Sequence, residues 1–228
     1  MGVAYDQGSE IHRDCATAAR WYQRAADRAH PGAQNNLGVL YEKGCGVAQS
    51  DAESVKWYMQ SASNGFATAQ NNLGYAYEIG RGAKQNDEEA VRWYREAAEQ
   101  NYAPALAHLA AHYMSGRGVE KNEAESARLE RLAAEQHFPY SELVVGQMYL
   151  AGWHVEKNPQ TAAQWFRRAA EDGNVAAENM MGELNEQGVG VPKDPAEAER
   201  WYKKAADAGL AAAQQNLARL HESLAASR

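Results

Sequence analysis

Only two cysteines, Cys15 and Cys45, occur in the 228 residues. That is too few for the disulfide framework of a small secreted domain, although one bridge between them stays open. No run approaches the roughly 18 to 20 unbroken apolar residues that a membrane span needs, so insertion into a bilayer is not expected. Basic residues are in deficit: 23 Lys and Arg face 30 Asp and Glu, a net charge of −7. With neither a Lys/Arg cluster nor an aromatic-basic stripe to neutralise phosphates, nucleic acid and anionic membrane are excluded as expected partners. The first ten residues, MGVAYDQGSE, offer neither a basic start nor an apolar signal segment. They imply a cytoplasmic chain as given, or a periplasmic or secreted one whose export signal has been removed. What is present is enough for a core, since 45% of the residues are hydrophobic, which excludes wholesale disorder.

The chain repeats itself every 36 residues, and that period governs the fold. An aromatic pair recurs at Trp21/Tyr22, Trp57/Tyr58, Trp93/Tyr94, Trp165/Phe166 and Trp201/Tyr202, lapsing once at Leu129/Glu130. Small residues keep the same spacing at Gly2, Gly38, Gly74, Ala110, Gly146, Gly182 and Ala218, as do Tyr5, Tyr41, Tyr77, Tyr113 and Tyr149. Within a unit, Leu37, Leu40 and Tyr41 lie at i, i+3, i+4 and make one helical stripe. A glycine ends that helix at Gly8, Gly44, Gly80, Gly116, Gly152 and Gly188. A cap then opens a second helix at Asp14, Ser50, Asn86, Asn122, Asn158 and Asp194. The expected fold is all-α, a right-handed superhelical solenoid of antiparallel helix pairs. The domain is read as single, 1–228, with units of approximately 1–32, 33–68, 69–104, 105–140, 141–176 and 177–212 and a capping helix at 213–224. Because Met1 and Gly2 fall on the columns of Leu37 and Gly38, the first helix lacks its opening turn, leaving a truncated edge through which self-association is expected. The Gly-x-Gly loop breaks at Gly8/Glu10 and Gly152/His154, where a different backbone is expected.

The segments YEKGCGVAQSDAESVKWYMQSASNGFATA and EQGVGVPKDPAEAERWYKKAADAGLAAA resemble Sel-one-like repeats, relatives of the tetratricopeptide repeat, over nearly the whole chain. The resemblance implies a non-enzymatic, bacterial scaffold or adaptor that engages a partner protein or peptide in signalling, envelope assembly, secretion or virulence. An immunity-type inhibitor of a co-encoded toxin is the alternative within that class. Some similar proteins carry a disulfide in each repeat; Cys15 and Cys45 occupy different columns, so that pattern is absent here.

Candidate sites follow from the same register. The Gly-rich loops have no preceding strand and no Lys-Ser/Thr, and recur in every unit, so they read as turns rather than phosphate cradles. No catalytic residue, metal site or cofactor is assigned. The rival class, a metal protein or enzyme, would use His108 and His112, four apart on one helix face, but HLAAH lacks the Glu of HExxH. Neither cysteine lies beside a histidine, so the thiols read as incidental. If the first helices line a binding wall, as the resemblance implies, the partner-facing positions are Asn35, Val39, Glu42, Asn71, Tyr75, Glu78, Leu143, Gln147, Leu150, Trp153, Asn179 and Glu183. Asn35 and Asn71 could pin an extended segment, with Glu42 and Glu78 favouring a basic one. Leu143, Val144, Leu150 and Trp153 are apolar where sibling units are polar. They read either as packing against the irregular fourth unit or as an exposed hot spot.

Overall fold

The computed structural model describes residues 3, 6 and 14–226. The readings made at Met1, Gly2, Tyr5, Gly8 and Glu10 lie outside them. Among the described residues the fold is all-α, and no helix is long and apolar enough to cross a membrane. The chain divides into two compact units, 1–123 and 124–228. The first holds α1 (Cys15–Ala26), α2 (Pro31–Lys43), α3 (Asp51–Ser63), α4 (Ala67–Ile79), α5 (Asp87–Ala98) and α6 (Ala103–Ser115). α7 (Glu123–Glu135) opens at the division. The second unit continues with α8 (Pro139–Ala151), α9 (Pro159–Glu171), α10 (Val175–Gln187), α11 (Pro195–Asp207) and α12 (Ala211–Ala226). Successive helices pack against one another from α1 to α6 in the first unit and from α8 to α12 in the second.

Local chemistry explains the helix ends. The side chains of Asp14, Ser50, Asn86, Asn158 and Asp194 accept backbone N–H bonds from the first turns of their helices, as orphaned helix donors require. Gly44, Gly80, Gly116, Gly152 and Gly188 end the first helices in the left-handed region. The core is built by the second residue of each aromatic pair: Tyr22, Tyr58, Tyr94, Phe166 and Tyr202 are all buried. Each such ring contributes on the order of 2 to 3 kcal/mol by burial. The small column lets the rings in, because a Cβ at Gly74 would stand 2.8 Å from the Tyr94 ring. In the fourth repeat Leu129 and Glu130 take the place of the pair and are both buried.

Two expectations are corrected. His154 does not change its loop: it keeps the left-handed conformation (φ 50°) of the glycines it replaces, such as Gly118 at φ 66°. The cysteines are not incidental thiols but form a disulfide, with Cα atoms 5.3 Å apart across a separation of 30 residues. It joins the first residue of α1 to the loop after α2. That junction recurs: Asp51 with Arg81, and Asp87 with Arg117, stand at the same two positions one and two repeats on, and both pairs are ion pairs.

Where the loop carries a second glycine, the same junction leaves little room for a side chain. A Cβ at Gly118 would overlap the Asp87 carbonyl oxygen and lie 2.8 Å from the Glu88 nitrogen, on a backbone at φ +66°. At Gly65, also left-handed, nothing lies within 4 Å of the added atom. Gly118→Ala is therefore expected to cost about 2 kcal/mol, from overpacking plus the left-handed penalty. Gly65→Ala is expected to cost about 1 kcal/mol, through the left-handed penalty alone. Urea unfolding of the two variants side by side checks the difference, and equal losses would contradict the close approach.

Candidate functional site

In the first unit the Asn column turns into the seam between repeats, which corrects its reading as an exposed wall. Asn35 and Asn71 are 5% and 8% exposed. Asn35 Oδ1 accepts from Asn72 Nδ2 at 3.0 Å, and Asn71 Oδ1 lies 3.0 Å from His108 Nδ1. These bonds tie α2 to α4 and α4 to α6, with an offset of 37 residues rather than 36. The second unit repeats the device, with Asn179 Oδ1 accepting from Asn216 Nδ2 at 3.0 Å. Amides buried in a seam and satisfied by one another hold register between repeats and are not available to a partner backbone.

The glutamates of the wall are likewise engaged from within. Glu42 accepts a 2.7 Å hydrogen bond from the Tyr58 hydroxyl and pairs with Arg81. Glu78 accepts one of the same length from Tyr94 and pairs with Arg117 at 3.4 Å. Glu186 does the same with Tyr202 and Arg219. The Glu78 carboxyl is held down at about 2, chiefly by the His112 imidazole, against the opposing effect of burial and with help from the Tyr94 hydroxyl and Arg117. Burial, and then the neighbouring glutamate, pushes the Tyr58 and Tyr94 phenols up.

His108 and His112, in the fourth repeat, both pack against the Tyr94 ring of the third. His112 is buried, its Nδ1 2.8 Å from the Arg117 carbonyl and its Nε2 3.6 Å from Glu78. Burial lowers its pKa, but the Glu78 carboxylate and the carbonyl outweigh that, and the net shift is upward. His108 is pushed down by burial. Among the described residues, the side chains whose ligand atoms do converge, within 4.8 Å, are His137, Glu142 and Asp172. Arg168 already lies among them, 2.9 Å from Glu142 and 3.2 Å from His137 Nδ1, so the cation there is a guanidinium.

The apolar group of the second unit takes the packing reading. Leu143 is buried, Leu150 packs beside it against Ala162, Phe166 and Met181, and Trp153 packs with Val144 against Ala127, Ala134 and Met148. Ala127 and Ala134 belong to α7, in the irregular fourth repeat, so Val144 and Trp153 pack there, while Val144, Leu150 and Trp153 each stay half-buried. Glu183 accepts from Asn179 at 2.8 Å, and Val39 packs against the core of the first unit.

Two of the expected wall residues stay open to solvent, Tyr75 in the first unit and Gln147 in the second. Tyr75 is 42% exposed and Ile79 45%, four residues apart and thus on one face of α4. The Tyr75 ring stacks along His108 at 6.1 Å. It also borders a pocket of about 80 Å³ lined by Glu42, Asp51, Ser54, Tyr58, Ala76 and Arg81. Neither Ile79 nor this pocket was singled out from the sequence; the signal available was an Ile at the end of α4 where other units carry Lys43 or Gln187.

Six consecutive segments, 1–30, 31–66, 67–102, 103–138, 139–174 and 175–210, each match the Sel1 repeat family. The chain is similar to a solved protective antigen with an SLR fold from uropathogenic Escherichia coli, at 33% identity and a TM-score of 0.84 over 97% of this chain and 48% of that one. It is similar to a Sel1 repeat protein of Oxalobacter formigenes at 34% identity and a TM-score of 0.86, over 96% of this chain and 63% of that one. The chain thus spans about half the length of the first and less than two thirds of the second. An immunity protein of Pseudomonas aeruginosa shares the fold at 18% identity and a TM-score of 0.61, over 90% of this chain and 81% of that one. No curated protein sequence matches.

Proposed function

The chain belongs to the Sel1 repeat family, and from that premise we propose that it is a non-catalytic adaptor that binds a partner protein through the exposed face of α4 in its first unit. Sel1 repeat proteins are generally protein-interaction scaffolds. The observation that carries the reading is the pair Tyr75 and Ile79, large side chains exposed together on one face of α4, with Tyr75 also bordering a charged pocket. An aromatic anchor ringed by polar groups is the usual anatomy of an interface hot spot. The disulfide supports an oxidising compartment, periplasmic or extracellular, and with it an envelope or secretion setting. The protective antigen of similar sequence fits that setting. The likeness to an immunity protein is one of fold, and it does not favour a toxin inhibitor over an adaptor.

Affinity capture from cells of the source organism, with wild type beside Tyr75→Glu and Ile79→Glu, tests the proposal. A protein retained by wild type and lost by both variants is the expected result. The same set retained by all three would rule out this face.

A further inference from the structure

The pocket beside Tyr75 has a counterpart one repeat later, and there the protein fills it itself. Advancing its lining by one repeat turns Glu42 into Glu78, Asp51 into Asp87, Tyr58 into Tyr94 and Arg81 into Arg117, preserving every one of these groups. Four lining residues differ: Ser54, Asn72 and Tyr75 become Ala90, His108 and Ala111, and Ala76 becomes His112, the imidazole that reaches the conserved groups. His112 reaches the Arg117 carbonyl at 2.8 Å, lies 3.6 Å from Glu78, and packs on the Tyr94 ring at 5.6 Å between centroids. Glu78, Tyr94 and Arg117 are the counterparts of the groups that line the open pocket. The pocket is therefore the space an imidazole occupies in the next repeat, left open by a methyl group.

We propose that the pocket bounded by Glu42, Tyr58, Ala76 and Arg81 is a binding site for an imidazole, presented by a histidine side chain of the partner protein. The proposal rests on the partner-binding reading above and names the chemistry of one contact within it. Two carboxylates, Glu42 and Asp51, face one guanidinium, Arg81, so the lining carries a net negative charge that suits a ring able to donate two N–H bonds. The Tyr58 ring provides the flat wall that Tyr94 provides for His112. Tyr75 at the rim is exposed, so the site opens on the face where the partner is placed.

The test is a titration of the full chain with imidazole, followed by backbone amide NMR shifts, with methylammonium and acetate as parallel probes. Saturable shifts at Tyr75, Ala76 and Arg81 with imidazole, at least tenfold weaker with the other two, are expected. Ala76→His copies the residue that the next repeat already carries at this position and should abolish the response. His112→Ala should open a second site, adding shifts around Glu78 and Arg117, and it keeps the test decisive should Ala76→His fold poorly. No response in wild type, an equal response to methylammonium or acetate, or an unchanged response in Ala76→His would overturn the proposal. No partner takes part in the titration. Failure here therefore leaves capture through Tyr75 standing, and failure of capture leaves the imidazole site standing.

Discussion

Replacing Glu130 by Gln is expected to stabilise the protein by about 3 kcal/mol above pH 7 and by less than about 0.5 kcal/mol near pH 4.5. Glu130 stands where sibling repeats bury a tyrosine or phenylalanine, and it is 5% exposed with one carboxyl oxygen unpartnered. Burial pushes its carboxyl up to about 7 from an ordinary 4.5, only partly opposed by the Ser141 hydroxyl. The sign follows from proton binding. Between pH 4.5 and 7 the unfolded chain loses this proton while the folded chain keeps it, so stability falls as pH rises through that window. Above pH 7 both states are ionised, and the loss levels off at about 1.4 kcal/mol for each unit of separation, hence about 3 kcal/mol. Gln keeps the shape of the neutral acid and has no proton to lose. Urea unfolding at pH 4.5 and pH 8 measures the difference. Parallel pH profiles for wild type and Glu130→Gln would contradict the assignment.

Reduction of the disulfide is expected to cost about 3 to 4 kcal/mol, the chain-entropy value for a closed loop of this length, the two cysteines being 30 residues apart. The loss should be confined to the junction between the first and second repeats, because the next two junctions are held by Asp51 with Arg81 and Asp87 with Arg117 instead. Cys45→Ser should match the reduced wild type. Replacing the pair by Asp at 15 and Arg at 45, which copies those later junctions, should recover about 0.2 to 1 kcal/mol, the worth of an exposed ion pair. Amide hydrogen exchange of α1 and α2 with and without reductant reads the effect. Unchanged protection after complete reduction would show that the bridge does not hold the junction.

The period, the helix caps and the glycine stops were legible in the sequence because each is local chemistry: an orphaned N–H needs an acceptor within three residues, and a left-handed residue favours Gly where it stands. The face of each column was not legible. Asn35 and Asn71 read as an exposed row, yet they enter the seam because their acceptors and donors come from the next repeat at an offset of 37 residues. An alignment of units in strict register does not pair such positions. Glu42 and Glu78 read as free charges for the same reason, since the Tyr58 and Tyr94 hydroxyls that occupy them lie on the following helix. The disulfide did leave a signal: Cys15 and Cys45 stand in the columns of Asp51 and Arg81, which carry opposite charges, and complementary charge in two columns marks them as neighbours. Trp153 looked like an anchor because an unusual Trp in a loop suggests one, but it is half-buried against a cluster that includes Ala127 and Ala134 of α7.

The most direct test of the account is a calorimetric binding isotherm between the purified chain and the protein captured from its own cells, repeated with Tyr75→Ala and with Gln147→Ala. The account predicts that Tyr75→Ala weakens binding at least tenfold, about 1.4 kcal/mol or more. Gln147→Ala, in the other unit, should leave the affinity within about twofold. Equal affinity of wild type and Tyr75→Ala, or a loss confined to Gln147→Ala, would contradict it.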